Sequence, residues 1–338
     1  MNVEATTKLK PADYASDQQV RWCPGCGDYA ILKSVQRTLA DLNAPRENQV
    51  FVSGIGCSSR LPYYMETYGF HTIHGRAPAI ATGVKLANPE LDVWIITGDG
   101  DGLSIGGNHL MHVLRRNLDA QILLFNNEIY GLTKGQSSPT SRMGTRSPST
   151  PRGSVDAPVS ATSFALGSGA GFVARAIDND QKSLPVTLRR AYEHKGASFV
   201  EIYQNCIVYN DAVFSDFTDK KVSKDRQIHV EHGKPLVFGA ENDQGLRMKA
   251  GAAELEVVQL GDNGISEEDL LHHDETNHVL ANLLAEMQPP EFPVALGVLY
   301  CVEGTGYEGR VRNEGAPRPA DDEALNRLLR REPTWEVK

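Results

Sequence analysis

Apolar residues along the chain alternate between two rhythms. Ile31, Leu32, Val35, Leu39 and Leu42 recur at the spacing of one helix face, directly after "CPGCG", with Asp28 placed to cap the helix. "QVFVSGIGCSSR" then reads as a short buried strand ending in a glycine turn. "RAPAIATGVKLAN" reads as a small-residue helix, and "DVWIITGDGDG" as a second strand and turn. "GGNHLMHVLRRN" is helical and "AQILLFNNEIYG" is a third strand with a polar end. The rhythm resumes in "GFVARAI", the helix "LPVTLRRAYEHKG" and the strand "SFVEIYQNC". Strands alternating with helices predict an α/β fold, a doubly wound, mainly parallel sheet over roughly residues 20–210.

Two stretches break the rhythm. Residues 135–158, "GQSSPTSRMGTRSPSTPRGSVDAP", are too polar and too rich in Pro and Gly for a strand, and form a long loop inside the domain. From about Val230 the alternation weakens through "KPLVFG", "LEVVQLGD", "VLANLLAEM" and "PVALGVLY", and "EGAPRPADDEAL" has the composition of an exposed segment. The expected organisation is an arm over 1–20, a main domain over 21–229 and a smaller C-terminal region over 230–338.

Composition narrows the function classes. Of 338 residues 40% are hydrophobic, enough for a sizeable core, and the net charge of -9 gives no footprint for nucleic acid. No apolar run approaches the length of a membrane span, no basic amphipathic stretch suggests a membrane surface, and the first twenty residues lack the apolar core of a signal peptide. The expected compartment is the cytoplasm. There, five cysteines argue against a disulfide framework and favour metal or redox chemistry for the close pair Cys23 and Cys26.

Polar residues fall in the same place after each strand: Cys57 after the first, Gly98, Asp99, Gly100 and Asp101 after the second, Asn126 and Asn127 after the third, and Cys206 after the last. In a parallel sheet these positions share the edge where α/β folds bind ligands. Glycines let backbone N–H groups approach a diphosphate, while a carboxylate and an amide oxygen are hard ligands for the accompanying magnesium. "GDGDG" followed by "NN" one helix and one strand later matches a thiamine diphosphate signature.

Together with "WCPGCG", "GIGCSSR", "HGRAPAIATGVKLANP", "NNEIYGLTKGQSSPTS" and "QNC", in order from Arg21 to Cys206, these stretches resemble the beta subunits of 2-oxoacid:ferredoxin oxidoreductases, most nearly the 2-oxoglutarate type. The resemblance implies the diphosphate-binding half of a thiamine fold. It implies Asp99, Asn127 and the carbonyl of Ile129 as magnesium ligands, with Gly98, Gly100 and Asp101 at the diphosphate. It places Cys57, Ser58, His74, Gly75 and Arg76 around the thiazolium. It makes Cys23, Cys26, Cys57 and Cys206 the ligands of one [4Fe–4S] cluster. By spacing alone a four-cysteine zinc site stays open, although zinc ribbons usually bring two close pairs. Cys301, in an apolar strand pattern, reads as an inert buried thiol.

The same resemblance implies oxidative decarboxylation of a 2-oxoacid with coenzyme A, electrons passing to ferredoxin and reversal fixing carbon dioxide. Pyruvate enzymes tend to read "YGNTGGQ" where this chain reads "YGLTKGQ"; Lys134, neighbouring Leu132, and Arg60 point to a dicarboxylic substrate, since a distal carboxylate needs a cation. The pyrimidine-binding domain with its activating glutamate is missing, which implies an alpha subunit and an α2β2 assembly. A non-redox thiamine enzyme with structural zinc, or a silent assembly subunit, are the alternatives. Two further motifs are set aside. The residues after Gly304-x-Gly306-x-x-Gly309 are expected not to form the helix a dinucleotide site needs, and His272, His273, Asp274 and His278 read as a solvated helix start.

Overall fold

In the computed structural model, which describes residues 8–314 and 321–330, the expected alternation forms a single twisted sheet between two helical layers. The arm is anchored through Tyr14, fully buried, whose hydroxyl donates to the carbonyls of Leu39 and Ala44. The main elements follow as α1 (Asp28–Leu42), β1 (Gln49–Ser53), β2 (Tyr68–His71), α2 (Ala77–Ala87), β3 (Asp92–Gly98), α3 (Gly107–Arg116) and β4 (Ala120–Asn126). A small hairpin, β5 (Ile129–Tyr130) and β6 (Gln136–Ser137), precedes α4 (Ala161–Gly167), β7 (Phe172–Ile177), α5 (Ser183–Glu193) and β8 (Ala197–Tyr203). The sequence pattern gives no sign of β2, because its four residues are all exposed and show no buried alternation.

Two short helices, α6 (Ser215–Thr218) and α7 (Ser223–Arg226), lead to β9 (Gln227–Val230). Then come β10 (Val237–Phe238), β11 (Gln244–Met248), β12 (Leu255–Gln259), α8 (His278–Glu286), β13 (Val294–Cys301), α9 (Tyr307–Glu314) and α10 (Asp322–Leu329). The main sheet runs β2-β1-β3-β4-β8-β7-β13-β9, with β10–β12 as a separate three-stranded antiparallel sheet. From β2 to β7 all pairs are parallel, β13 is antiparallel to β7, and β9 is parallel to β13.

Buried parallel strands carry apolar residues on both faces. Val50, Val52, Val93, Ile95, Ile122 and Leu124 face α2, α3, α4 and α8, whereas Phe51, Trp94, Ile96, Leu123 and Phe125 face α1 and α5. The boundary expected between 229 and 230 runs through β9, and β13 returns from the C-terminal region to cover β7, whose six residues are all buried. The described residues from 230 onward are therefore not appended as one unit: α8 and β13 complete the main core, and β10–β12 stand beside it. An uncovered β7 would be an apolar edge strand, the arrangement most open to aberrant pairing.

A helix, Tyr307–Glu314, does form at the end of the Gly304 motif and over the residues after it, contrary to expectation. Its first-turn Glu308 accepts the amide of Asp119 at 3.3 Å, and a Cβ on Gly306 would stand 2.1 Å from Glu308 Oε1, so the chain's own carboxylate packs against the motif's glycine. In the histidine stretch, His273 is buried with Nε2 at 2.8 Å from the carbonyl of Val298, and Asn277 caps α8. Of "EGAPRPADDEAL", residues 315–320 lie outside the described residues, and 321–325 are exposed. Among the described residues no helix is long and apolar enough to cross a membrane.

Candidate active site

Strands β1, β3, β4 and β8 are consecutive neighbours in the sheet, so the polar residues after them meet at one edge. The chain leaves β1 for β2 on one side and then crosses back to β3 on the other side of β1, from which it continues outward to β4, a topological switch point of the kind that opens a ligand crevice. Two adjoining cavities occupy it. One is bordered by Ser58, His74, Gly98, Asp99, Gly100, Asp101, Asn127 and Ile129, and the other by the four cysteines.

In the first cavity "GDGDG" does not make the expected turn. The chain passes from β3 straight into a helical segment, with a π-turn over Asp101–Ile105 closed by the Gly106 amide on the Asp101 carbonyl at 3.1 Å. A helix N-terminus presents free N–H groups to an anion, and π-turns are common at functional sites. Gly100 is required by close packing, since a Cβ there would stand 2.2 Å from the ring of Tyr130.

Asp99 is buried, and burial pushes its carboxyl up to about 6, against hydrogen bonds that favour the charged form. Two of those come from the loop at 135–158. Ser138 and Thr140 donate their hydroxyls to Asp99 Oδ2 at 2.6 and 2.7 Å, and Thr140 also bonds Asn126 Oδ1 at 2.9 Å. The loop is thus a wall of the site, held by buried hydroxyls rather than apolar residues. Asn127 is fixed by its amide on Gln204 Oε1 at 2.8 Å and by the Ile129 amide on its own Oδ1 at 3.2 Å.

Asp101 departs from expectation. It borders the cavity, yet its oxygens accept from Ile55, His74, Gly75 and Thr97, all within this chain. Its carboxylate is used inward and not on a diphosphate. Asp28 also differs: Gly27 occupies the cap position, while Asp28 is the first helical residue, fully buried, with the Cys26 thiol beside its carboxylate and no N–H or O–H donor on either oxygen among the described residues. Burial pushes it up to about 7, and it borders the first cavity.

Cys23, Cys26, Cys57 and Cys206 all border the second cavity, of about 220 Å³, with Cys23 the most exposed. Burial pushes Cys57 up to about 12 and raises Cys26 further, so both thiols stay protonated until a metal's charge displaces the proton. Gln204 Nε2 donates to Cys26 Sγ at 3.2 Å, and Trp22 Nε1 holds the Cys57 carbonyl at 2.7 Å. A Cβ on Gly131 would stand 3.5 Å from Cys206 Sγ and 3.7 Å from Cys57 Sγ, so the bare glycine keeps space open beside the thiols. Among the described residues no three His, Cys, Asp or Glu side chains close on one point as a single-ion site would require. Cys301 does not border this cavity.

Of the expected substrate residues, Arg60 and Leu132 share the cysteine cavity and Lys134 does not border it. Arg60 belongs to the wall of the cysteine cavity and donates to the Arg21 carbonyl at 3.2 Å; Leu132 borders both cavities. Lys134 is exposed at the tip of the β5–β6 hairpin with a left-handed backbone, φ 78°. Arg76 caps α2 and reaches the Ile105 carbonyl. Sequence reasoning missed Ser138, Thr140 and Gln204. The only signal was the density of hydroxyls and amides beside the motifs.

Residues 54–202 match the family described as thiamine pyrophosphate enzyme, C-terminal TPP binding domain. The chain is 49% identical, over 97% of its length and 88% of the relative's, to the 2-oxoglutarate oxidoreductase subunit KorB of Mycobacterium tuberculosis. It is 45% identical to subunit beta of 2-oxoacid:ferredoxin oxidoreductase 1 of Aeropyrum pernix over 63% of this chain and 67% of that one. The chain belongs to the beta subunits of the 2-oxoacid:ferredoxin oxidoreductases. A solved structure of 2-oxoglutarate:ferredoxin oxidoreductase from Magnetococcus marinus, with 2-oxoglutarate, coenzyme A and succinyl-CoA bound, superposes on this beta subunit with a TM-score of 0.77 and 31% identity, covering 97% of this chain and 98% of the other. The thiamine match contains Cys57 alone of the four cysteines. Cys23, Cys26 and Cys206 lie in the segments flanking the matched region.

Proposed function

We propose that this beta subunit, joined to an alpha subunit that supplies the pyrimidine-binding domain, oxidatively decarboxylates 2-oxoglutarate with coenzyme A to succinyl-CoA and carbon dioxide. Electrons leave through a [4Fe–4S] cluster to ferredoxin, and the reverse direction fixes carbon dioxide. The relatives named for 2-oxoglutarate support the substrate, and the cation-bearing "GLTKGQ" hairpin agrees with it.

One observation carries the redox reading: the two cavities share Cys57, Asn127, Gly131, Leu132 and Gln204 as a common wall. An electron acceptor in the cysteine cavity would sit one residue layer from the bound cofactor. Thiamine diphosphate, when bound, supplies the carbon that adds to the 2-oxo group and holds the electron pair released on decarboxylation. Asp99, Asn127 and the Ile129 carbonyl are the hard oxygen donors magnesium prefers; Asp99 Oδ1, which takes no hydroxyl, is the carboxylate oxygen available to it. Cys23 and Cys26 form one close pair while Cys57 and Cys206 stand singly on the same cavity, which fits a cluster better than the two close pairs usual in a zinc ribbon.

Anaerobic purification of the complex tests the proposal directly. The expected protein is brown, with four irons per beta chain, and Cys206→Ser loses iron although it is remote in sequence from the CPGC turn. Stoichiometric zinc in place of iron would instead support the non-redox alternative.

A further inference from the structure

Asp101 is the most heavily bonded carboxylate of the site. Its Oδ1 accepts the Ile55 amide at 3.0 Å, the Gly75 amide at 2.7 Å and His74 Nδ1 at 2.5 Å, and Oδ2 accepts the Thr97 hydroxyl at 2.7 Å. Four donors of this chain meet the carboxylate, three at Oδ1 and one at Oδ2. The backbone is shaped for that purpose: a Cβ on Gly54 would stand 2.0 Å from Asp101 Oδ2, and Gly75 has a φ of 71° that side chains rarely adopt. Asp101 thus ties together the ends of β1 and β3 and the loop after β2.

This arrangement determines which nitrogen of His74 carries hydrogen. Oδ1 already accepts two backbone amides, so Nδ1 must be the donor and the lone pair of the neutral ring lies on Nε2. The ring borders the cofactor cavity, edge-on to Tyr130 with centroids 6.4 Å apart. A histidine whose tautomer is held by a buried carboxylate is the arrangement that makes an effective proton carrier.

We propose that His74 carries the proton of the substrate's 2-oxygen and that Asp101 is its positioning residue, fixing the tautomer and stabilising the imidazolium. The proposal rests on the 2-oxoacid reading above. That oxygen is a carbonyl oxygen in the 2-oxoacid and again in the thioester; between those states C2 is not a carbonyl carbon and the oxygen bears a proton. His74, as the imidazolium, gives that proton from Nε2, is left as the neutral ring with its lone pair there, and takes the proton back when the C–S bond forms and the C=O bond is restored. No proton is consumed in this exchange. The C1–C2 bond breaks to release carbon dioxide, its electron pair goes to two ferredoxins, and the thiol proton passes to solvent.

The test uses the loaded alpha–beta complex with two variants. In His74→Ala kcat should fall by about 10²- to 10⁴-fold, the usual contribution of a positioned acid–base group, with the thiamine diphosphate dissociation constant within threefold of wild type. Added imidazole should restore at least tenfold of the loss. Asp101→Asn should keep the geometry. The amide oxygen can replace Oδ1, and its nitrogen can donate to Thr97 once that hydroxyl turns to the Gly98 carbonyl, already 3.2 Å away. Only the charge is lost, and kcat should fall tenfold or more at unchanged cofactor affinity.

Independently of turnover, thiamine diphosphate should protect His74 from carbethoxylation by diethylpyrocarbonate, read by peptide mass. Wild-type kcat in His74→Ala, a loss that imidazole does not rescue, or no protection by the cofactor would overturn the proposal. Oxidation of 2-oxoglutarate by the wild-type complex separately tests the reading beneath it.

Discussion

The hydroxyl of Thr140 meets Asp99 Oδ2 at 2.7 Å, across 41 residues of sequence. It ties a polar loop to the carboxylate at the end of a central strand. Thr140→Val keeps the shape and removes the donor. A hydrogen bond to a charged group is worth about 1.5–3 kcal/mol, and removing a partner that orients a metal ligand typically costs about 10- to 100-fold in metal affinity. Titrating magnesium and thiamine diphosphate into the cofactor-free complex should show that loss, with Ser138→Ala behaving alike. Unchanged affinity in both would mean that the loop only covers the site.

The raised carboxyl of Asp99 makes cofactor binding depend on pH. Burial lifts it from 3.8 to about 6. The folded apo protein therefore binds more protons than the unfolded chain between those values, and its stability falls as pH rises through that window. Asp28 and Glu128, both pushed up to about 7 by burial, act in the same direction up to neutral pH. Magnesium needs the carboxylate, so loading expels the proton and is favoured as pH rises. The difference in Tm between loaded and cofactor-free complex should widen from pH 5.5 to 7.5. A constant difference would remove Asp99 from the ligand set.

Behind the site lies a buried ion pair. Arg175 Nε and Glu201 Oε2 are 2.9 Å apart with both side chains almost fully buried, and Glu201 Oε1 also accepts the Asn126 amide at 2.8 Å. Glu201→Ala strands a buried guanidinium and should cost about 3–5 kcal/mol in chemical denaturation. The double replacement Arg175→Met with Glu201→Leu should recover most of that, because neither charge is then left alone. A cost under 1 kcal/mol for Glu201→Ala would show that water reaches Arg175.

The parts of the site legible in the sequence are those that one strand end encodes locally. "GDGDG", "NN" and "QNC" each close a strand, and parallel pairing of β3, β4 and β8 places them side by side without further information. The insertion of β13 between β7 and β9 was not legible, since neighbour order in a sheet is a choice among distant segments of similar pattern. Nor was the inward turn of Asp101. In sequence it is one more acid in a phosphate-like motif, and only the approach of Gly54 and Gly75 directs it toward His74.

Substrate choice is the expectation the fold supports least directly, because Arg60 lies on the cysteine cavity while Lys134 stands exposed on the hairpin, with Leu132 bordering both cavities between them. If the two cations hold the distal carboxylate of 2-oxoglutarate, removing one should harm that substrate and spare 2-oxobutyrate, which lacks the charge. A lost charge-assisted hydrogen bond of about 1.5–3 kcal/mol corresponds to roughly 10- to 100-fold in the ratio of kcat/KM. Lys134→Met and Arg60→Met in the alpha–beta complex, assayed with both substrates, provide that ratio. A hairpin that Lys134 merely shapes would weaken both substrates equally, since its left-handed backbone already strains the turn. Equal losses, or a wild type that prefers pyruvate, would leave the general oxidoreductase reading standing and remove the 2-oxoglutarate assignment.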